Sequence, residues 1–211
     1  MSVTFATNED LELIEKRLSD LEYVPIKINS FLCYNSRVEI GRTIDTVFLE
    51  WELNKTATSI SLDGITVSPD LNKTTLTGLT ITQDTTWSLK VVDERGLEVS
   101  KSTSMKFVNG VYYGAATGDQ TYDSDFVLGL SRKILSSSKV ETIYVTANEG
   151  EYIYYCVPTR FGDCSFEVGG FDGGFEKVST FNFTNESGYT ESYDIYKSTN
   201  ASLGYTKVTI T

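Results

Sequence analysis

Apolar residues recur near the start of the chain at Leu11, Ile14, Leu18 and Leu21, at spacings of 3, 4 and 3. This is the a/d seam of two heptads, and it predicts an amphipathic helix. Thr7 and Asp10 read as a capping box, and Glu9, Asp10 and Glu12 sit where the helix dipole favours acid. Pro25 stops the helix, because its ring clashes with the preceding turn. Glu12, Glu15, Lys16, Arg17 and Asp20 stand between the apolar positions. Two arrangements fit: a helix laid on its own domain, or a short coiled coil joining identical chains. The coiled coil is favoured, which makes Leu11, Ile14, Leu18 and Leu21 the candidate oligomerisation residues. Leu at both a positions with Ile at one d leans towards three strands over two. Two heptads are marginal alone, so later domains would have to support the assembly.

Beyond residue 25 the period changes to two. Val47, Leu49, Trp51 and Leu53 alternate with Thr46, Phe48, Glu50 and Glu52, as in a strand with one buried face. Further strands are predicted over Ser59–Leu62, Thr74–Ile81, Thr86–Val92 and Glu98–Phe107. Asp63-Gly64 is a hairpin signal, since Gly accepts the positive φ such a turn needs. Glu94-Arg95-Gly96 is a second turn. Short strands about ten residues apart predict an immunoglobulin-like β-sandwich over residues 26–109, with Trp51 and Trp87 as core plugs.

Asn109-Gly110 punctuates the chain and opens a third segment, residues 110–211. One helix is predicted near residues 123–135, capped by Asp123 or Ser124, with Phe126, Val127, Leu130 and Ile134 on one face. Strands follow over Glu141–Ala147, Glu151–Val157, Asp163–Val168, Phe175–Phe183, Tyr189–Tyr196 and Tyr205–Ile210. The expected fold is therefore mainly β: a short N-terminal coiled-coil helix, an Ig-like sandwich, and a second sandwich carrying one helix.

Composition narrows the chemistry. Lys plus Arg is 18 and Asp plus Glu is 29, a net charge of −11. Nucleic-acid affinity comes mostly from cations neutralising phosphates, so no nucleic-acid partner is expected. The chain contains no histidine. That removes Ser-His-Asp and Cys-His catalysis, His-ligated zinc and a His-based pH switch. Met1–Thr7 does not read as a signal peptide, and no stretch is apolar enough to insert in a membrane. Cys33, Cys156 and Cys164 are an odd number at no metal-like spacing. A chain made in a reducing cytoplasm is expected.

Few constellations carry chemistry. Cys156 and Cys164 would face each other if the residues between them closed a hairpin around Arg160; otherwise they are small buried side chains. Tyrosines are dense after residue 110. In Tyr152–Cys156, alternation puts Tyr152 and Tyr154 on one face and Ile153 and Tyr155 on the other. Both faces are bulky, so Tyr152, Tyr154 and Tyr155 are candidate interface aromatics as well as candidate core, and a sugar-stacking platform is a third use of such rings. Asp119, Asp123, Asp125, Asp163 and Asp172 lack calcium-loop spacing and read as solvated loop acids. Gly169-Gly170-Phe171-Asp172-Gly173-Gly174 lacks the Lys-Ser/Thr of a phosphate loop and reads as a turn or bulge. No catalytic residue, metal or cofactor is expected.

The stretch Thr46–Lys55, then Leu62-Asp63-Gly64, Thr85–Val91 and Asp93-Glu94-Arg95-Gly96, resembles an Ig-like module of tailed-bacteriophage structural proteins. Gly110-Val111-Tyr112-Tyr113-Gly114, Tyr152-Ile153-Tyr154-Tyr155, Gly170–Phe175, Phe183–Tyr189 and Tyr196–Asn200 are similar to the β-rich ends of such proteins. The resemblance runs from about Val38 to the C-terminus and leaves out the N-terminal helix. It implies a virion component: a head fibre or capsid decoration, or a neck or tail fibre. The implied partners are further copies of the chain, a trimer before a dimer, other virion proteins such as capsid or neck components, and host-surface glycans. The alternative is a carbohydrate-binding adhesin-like module; an enzyme using paired carboxylates on a β-scaffold is a third reading, supported by no motif.

Overall fold

A computed structural model describes residues 7–211. In chain order its elements are α1 (Asn8–Glu22), β1 (Ile28–Cys33), β2 (Arg37–Glu39), β3 (Val47–Leu53), β4 (Ser59–Leu62), β5 (Ile65–Val67), β6 (Lys73–Leu76), β7 (Thr85–Val92) and β8 (Glu98–Thr117). There follow α2 (Ser124–Gly129), β9 (Arg132–Ser136), β10 (Glu141–Ala147), β11 (Glu151–Pro158), β12 (Phe166–Val168), β13 (Phe171–Asp172), β14 (Phe175–Thr184), β15 (Thr190–Ser198) and β16 (Gly204–Ile210). The protein is mainly β, with one long helix at the N-terminal side of its sheets.

The chain divides into two compact units. The first holds the described residues through Tyr34 with Phe48–Thr75 and Thr86–Thr103; the second holds Asn35–Val47, Leu76–Thr85 and Ser104–Thr211. The boundary expected at 109/110 thus falls at 103/104, and two earlier segments join the C-terminal part. Strand pairing explains the exchange. β2 runs parallel to β8, with Val38 opposite Phe107, and Ile44 bridges Ile81.

In the first unit, α1 starts with a reciprocal capping box: the Asp10 amide donates to Thr7 Oγ1 at 3.2 Å, and the Thr7 amide donates to Asp10 Oδ2 at 2.9 Å. The helix ends at Glu22, and Tyr23 is already extended ahead of Pro25. One sheet runs β1-β3-β6; the other pairs β5, β4, β7 and the start of β8. Val47, Leu49 and Trp51 are buried while Phe48 and Glu52 are exposed, the alternation read from the sequence. Trp51 meets Phe31 edge-on at 6.5 Å, and Trp87, Leu89 and Val91 line the inner face of β7. The β4–β5 turn has φ of 48° at Asp63 and 84° at Gly64, the two positive values of a type I′ hairpin.

Asp93 organises the base of the helix. Its buried carboxylate accepts from Tyr23 Oη at 2.5 Å, from the Arg95 and Leu97 amides at 2.9 Å each, and from the Ile26 amide at 3.4 Å. Burial pushes its pKa up, but these hydrogen bonds outweigh burial and hold it well below the usual carboxylate range. Arg95, two residues on in the same turn, lies over the Tyr23 ring and pairs with Asp20 at 2.7 Å.

The second unit has three layers. A sheet of β14-β15-β11-β8, with β9 on β8, forms the middle. A four-stranded sheet, β10-β16-β12-β13, covers one face, and α2 covers the other. Two cores result. Ile153, Tyr155 and Val157 pack with Ile143, Val145, Phe166, Val208 and Ile210; Tyr154 and Cys156 pack with Tyr112, Val127, Phe183, Tyr193 and Ile195.

Two expectations are corrected here. The helix near 123–135 stops at Gly129, and Arg132–Ser136 is a strand paired with Asn109–Tyr113 of β8. The reason is that Val127 belongs to one core while Ile134 packs against the other, which one continuous helix could not arrange. Asn109-Gly110 is no turn: both residues lie inside β8. A Cβ at Gly110 would come within 2.7 Å of Glu39 Oε1 and of the Tyr112 ring, so the glycine marks a close approach. Glu39 is buried there, accepting from Tyr112 Oη at 2.5 Å and from Lys133 Nζ at 2.9 Å.

Two measurements check this account. Gly110→Ala is expected to destabilise the second unit by about 1–3 kcal/mol, read from denaturant unfolding, because the strand must shift to admit the methyl group. Asp93 binds its proton more weakly folded than unfolded, so its contribution is complete above the unfolded pKa of about 3.9 and is lost as pH falls below it. Asp93→Asn is therefore expected to lower the thermal midpoint at pH 7 and to flatten its decline between about pH 5 and pH 2.

Candidate functional site

The predicted seam on α1 stands in solvent. Leu11, Ile14 and Leu18 are 51%, 59% and 52% exposed, and Leu21 is 84% exposed. No residue of the helix is buried. Its ties to the rest of the first unit are polar: Arg95 bonds Asp20 and the Ser19 carbonyl, the latter at 2.7 Å. The helix is thus held at its C-terminal end while the apolar stripe stays uncovered by the other described residues.

The candidate interface aromatics of β11 have another place. Tyr154 and Tyr155 are both 0% exposed, on opposite faces of the strand and in different cores. This corrects the reading of them as subunit contacts. The second cover that a two-faced bulky strand requires comes from α2, whose Phe126 ring meets Tyr154 edge-on at 5.0 Å. Their hydroxyls are also used internally: Tyr154 Oη donates to the Thr117 carbonyl at 3.0 Å, and Tyr155 Oη to the Lys139 carbonyl at 2.8 Å. Tyr152 is half-buried beneath Lys197, whose Nζ lies 4.0 Å from the ring centroid.

Cys156 and Cys164 are not joined in a disulfide. The hairpin that would oppose Cys156 and Cys164 does not form, because β11 pairs with β8 and β15. Cys156 lies in the core under α2, whereas Cys164 packs against the core on the other side of the sheet. Burial pushes the Cys156 thiol far up, and pushes Cys164 up to about 11 against the opposing pull of Lys139 and Tyr196. Two of the loop acids have structural roles: Asp123 caps α2 by accepting from the Phe126 amide at 2.9 Å, and Asp163 pairs with Lys177 at 2.5 Å.

Two exposed features went unassigned in the sequence. In the first unit, a cleft of about 590 Å³ is lined by Tyr34, Phe48, Glu50, Leu71 and Lys73, and Tyr34 Oη donates to Glu50. In the second, Tyr144 and Tyr205 stack beside a cleft of about 340 Å³. The signal for the second pair was present: Tyr144 sits between Thr142 and Thr146 in the outward phase of β10, where a core ring has no place.

Among the described residues no helix is long and apolar enough to cross a membrane. No protein-family model matches the chain, and no curated protein matches it. Among solved structures, the chain is similar to a crystal structure of the N-terminal eight Ig domains of Down syndrome cell adhesion molecule, isoform 1.30.30. The identity is 10% and the TM-score 0.26, over 87% of this chain and 26% of that one. The chain thus spans about a quarter of that structure's length, and the fold described above rests on its own strands and their pairing.

The thiols offer a direct check. Native protein at pH 8 is expected to react with a disulfide reagent at Cys164 more than about a hundredfold more slowly than an unshifted thiol, and at Cys156 only after unfolding. Timed thiolate release with mass mapping of the labelled cysteines reads both.

Proposed function

We propose that the protein is a passive structural component of a tailed-bacteriophage particle, an oligomeric head fibre or capsid decoration on the outer surface. The observation that carries this reading is the uncovered heptad seam on α1. A capped helix that shows Leu11, Ile14, Leu18 and Leu21 to water is best covered by the same stripe of further copies. Leu at both a positions favours a trimer over a dimer. In this reading the first unit is an Ig-like spacer, and the second faces outward. The phrases shared with phage structural proteins support the assignment, and so does the net charge of −11, which would repel packaged nucleic acid and suit the particle exterior. Linked copies would raise the effective concentration of each next contact, so no single contact need be strong.

Native mass measurement tests the assembly. The full chain is expected to be a trimer, and a variant with serine at Leu11, Ile14, Leu18 and Leu21 a folded monomer. Equal masses for the two would remove the helix from assembly. Electron microscopy of the intact particle tests the placement: density on the capsid exterior is expected, and a position inside the capsid would overturn it.

A further inference from the structure

On the outer face of the second unit's four-stranded sheet, Tyr144 of β10 and Tyr205 of β16 stand together. Their ring centroids are 6.0 Å apart, with 16° between the planes. The register produces this: Tyr144 pairs with Lys207 and Thr146 with Tyr205, so the tyrosines are diagonal neighbours on one face. Ile143, Val145 and Ala147 are the inward residues of β10. Tyr144 is 53% exposed and Tyr205 is 75% exposed, which leaves aromatic surface facing water. Threonine would serve the sheet equally well at either position.

The cleft beside the rings is walled mainly by polar groups: Ser131, Arg132, Asn148 and Glu151 join the two tyrosines. Its volume, about 340 Å³, is at the small end of ligand sites. Glu151 Oε2 already accepts from the Asn148 amide at 2.8 Å, which orients the carboxylate and leaves Oε1 available. Two cations flank the rings: Arg132 in the cleft and Lys207 directly across from Tyr144. Most basic side chains of this unit are engaged. Lys133 pairs with Glu39, Arg160 with Glu191, Lys177 with Asp163 and Asp194, and Lys197 lies over Tyr152. Arg132 and Lys207 make no ion pair with any described residue. In a chain with 29 carboxylate residues, two unneutralised cations beside two exposed rings are a specific arrangement.

We infer that this surface binds an acidic saccharide, a sugar bearing a carboxylate or sulfate group. One face of a sugar ring presents C–H groups, which pack on the electron-rich faces of Tyr144 and Tyr205. Its hydroxyls find acceptors and donors at Glu151, Asn148 and Ser131. Its anionic group meets the Arg132 guanidinium, whose fork matches a planar oxyanion, with Lys207 as a second charge. A peptide docking by its side chains would need an apolar trough, and these walls are polar. A nucleic acid would need a row of phosphate contacts, and two cations do not supply one. Every residue of the site lies in the second unit, so a single copy carries it, and this inference goes beyond the particle assignment and does not depend on assembly.

The test uses the full chain on an array of immobilised oligosaccharides carrying sialic acid, hexuronic acid or sulfate esters, beside neutral counterparts. Retention on acidic members above neutral ones is expected. Tyr144→Ser and Tyr205→Ser are each expected to lower it at least tenfold, with the thermal midpoint unchanged because both rings are exposed. Combined Arg132→Gln and Lys207→Gln is expected to abolish the preference for acidic over neutral members. Four results would overturn the inference: no acidic glycan retained, retention unaffected by the tyrosine variants, equal retention of neutral sugars, or stronger capture of a single-stranded oligonucleotide than of any sugar. A change of native mass in Tyr205→Ser without sugar present would reassign the rings to a contact between copies.

Discussion

A single buried carboxylate sets how the N-terminal helix is presented. Asp93 sits in the turn between β7 and β8 and gathers donors from three places: the Tyr23 hydroxyl just after the helix, the Ile26 amide that starts the sheet, and the amides of its own turn. A buried charge is tolerated only when its lone pairs are used, and here they are. Because the helix is gripped through Tyr23 and Asp20, its leucines are left out of the first unit's core. Had the helix been laid flat by apolar contacts, the same leucines would have been consumed within the chain. The polar grip and the unspent stripe are two sides of one arrangement.

The second unit follows a different rule. Its central strand β11 is apolar on both faces, so it can exist only between two covers. The chain provides them by different means. β10 and β16 form a second sheet over Tyr155, while α2 and the aromatic side chains of β14 and β15 close over Tyr154. A six-residue helix suffices because rings do most of the covering: Phe126 and Tyr122 meet Tyr154, and Phe183 meets Tyr112 and Tyr193. The tyrosine density that invites a search for interfaces is largely the material of this double core. The rings left outside, Tyr144 and Tyr205, are those whose strand positions point away from it.

Period-two alternation was legible where one face is buried, but the strand read over Thr74–Ile81 ends at Leu76, the one read over Glu98–Phe107 runs on to Thr117, and short strands such as Arg37–Glu39 and Ile65–Val67 were not read. Ser59–Leu62 and Glu141–Ala147 appear as read, and Asp63-Gly64 takes the turn its residues demand. The helix at the N-terminal side was equally plain, since its cap, seam and stop are all local signals. What escaped the reading was decided by long-range contact. Gly110 looks like punctuation because no local pattern reveals that Glu39, about seventy residues earlier, will press against it. Ile134 fits a helical face with Val127 until β8 offers it a strand partner. Tyr154 and Tyr155 could be assigned to a partner because no local pattern shows that α2 covers the one and the β10–β16 sheet the other. As for the exposed pair, alternation placed Tyr144 and Tyr205 outward, but only the register of β10 against β16 brings them side by side.

The order in which the chain emerges during translation now takes on weight. Every residue of the first unit has been made by Thr103, about a hundred residues before β16 is complete. β16 lies between β10 and β12 and joins them, and it brings Val208 and Ile210 to the core. Until that strand leaves the ribosome, Tyr155 lacks part of its cover and the middle sheet has one apolar side open to solvent. A nascent chain stalled anywhere between β11 and β16 would therefore be the species most in need of a chaperone.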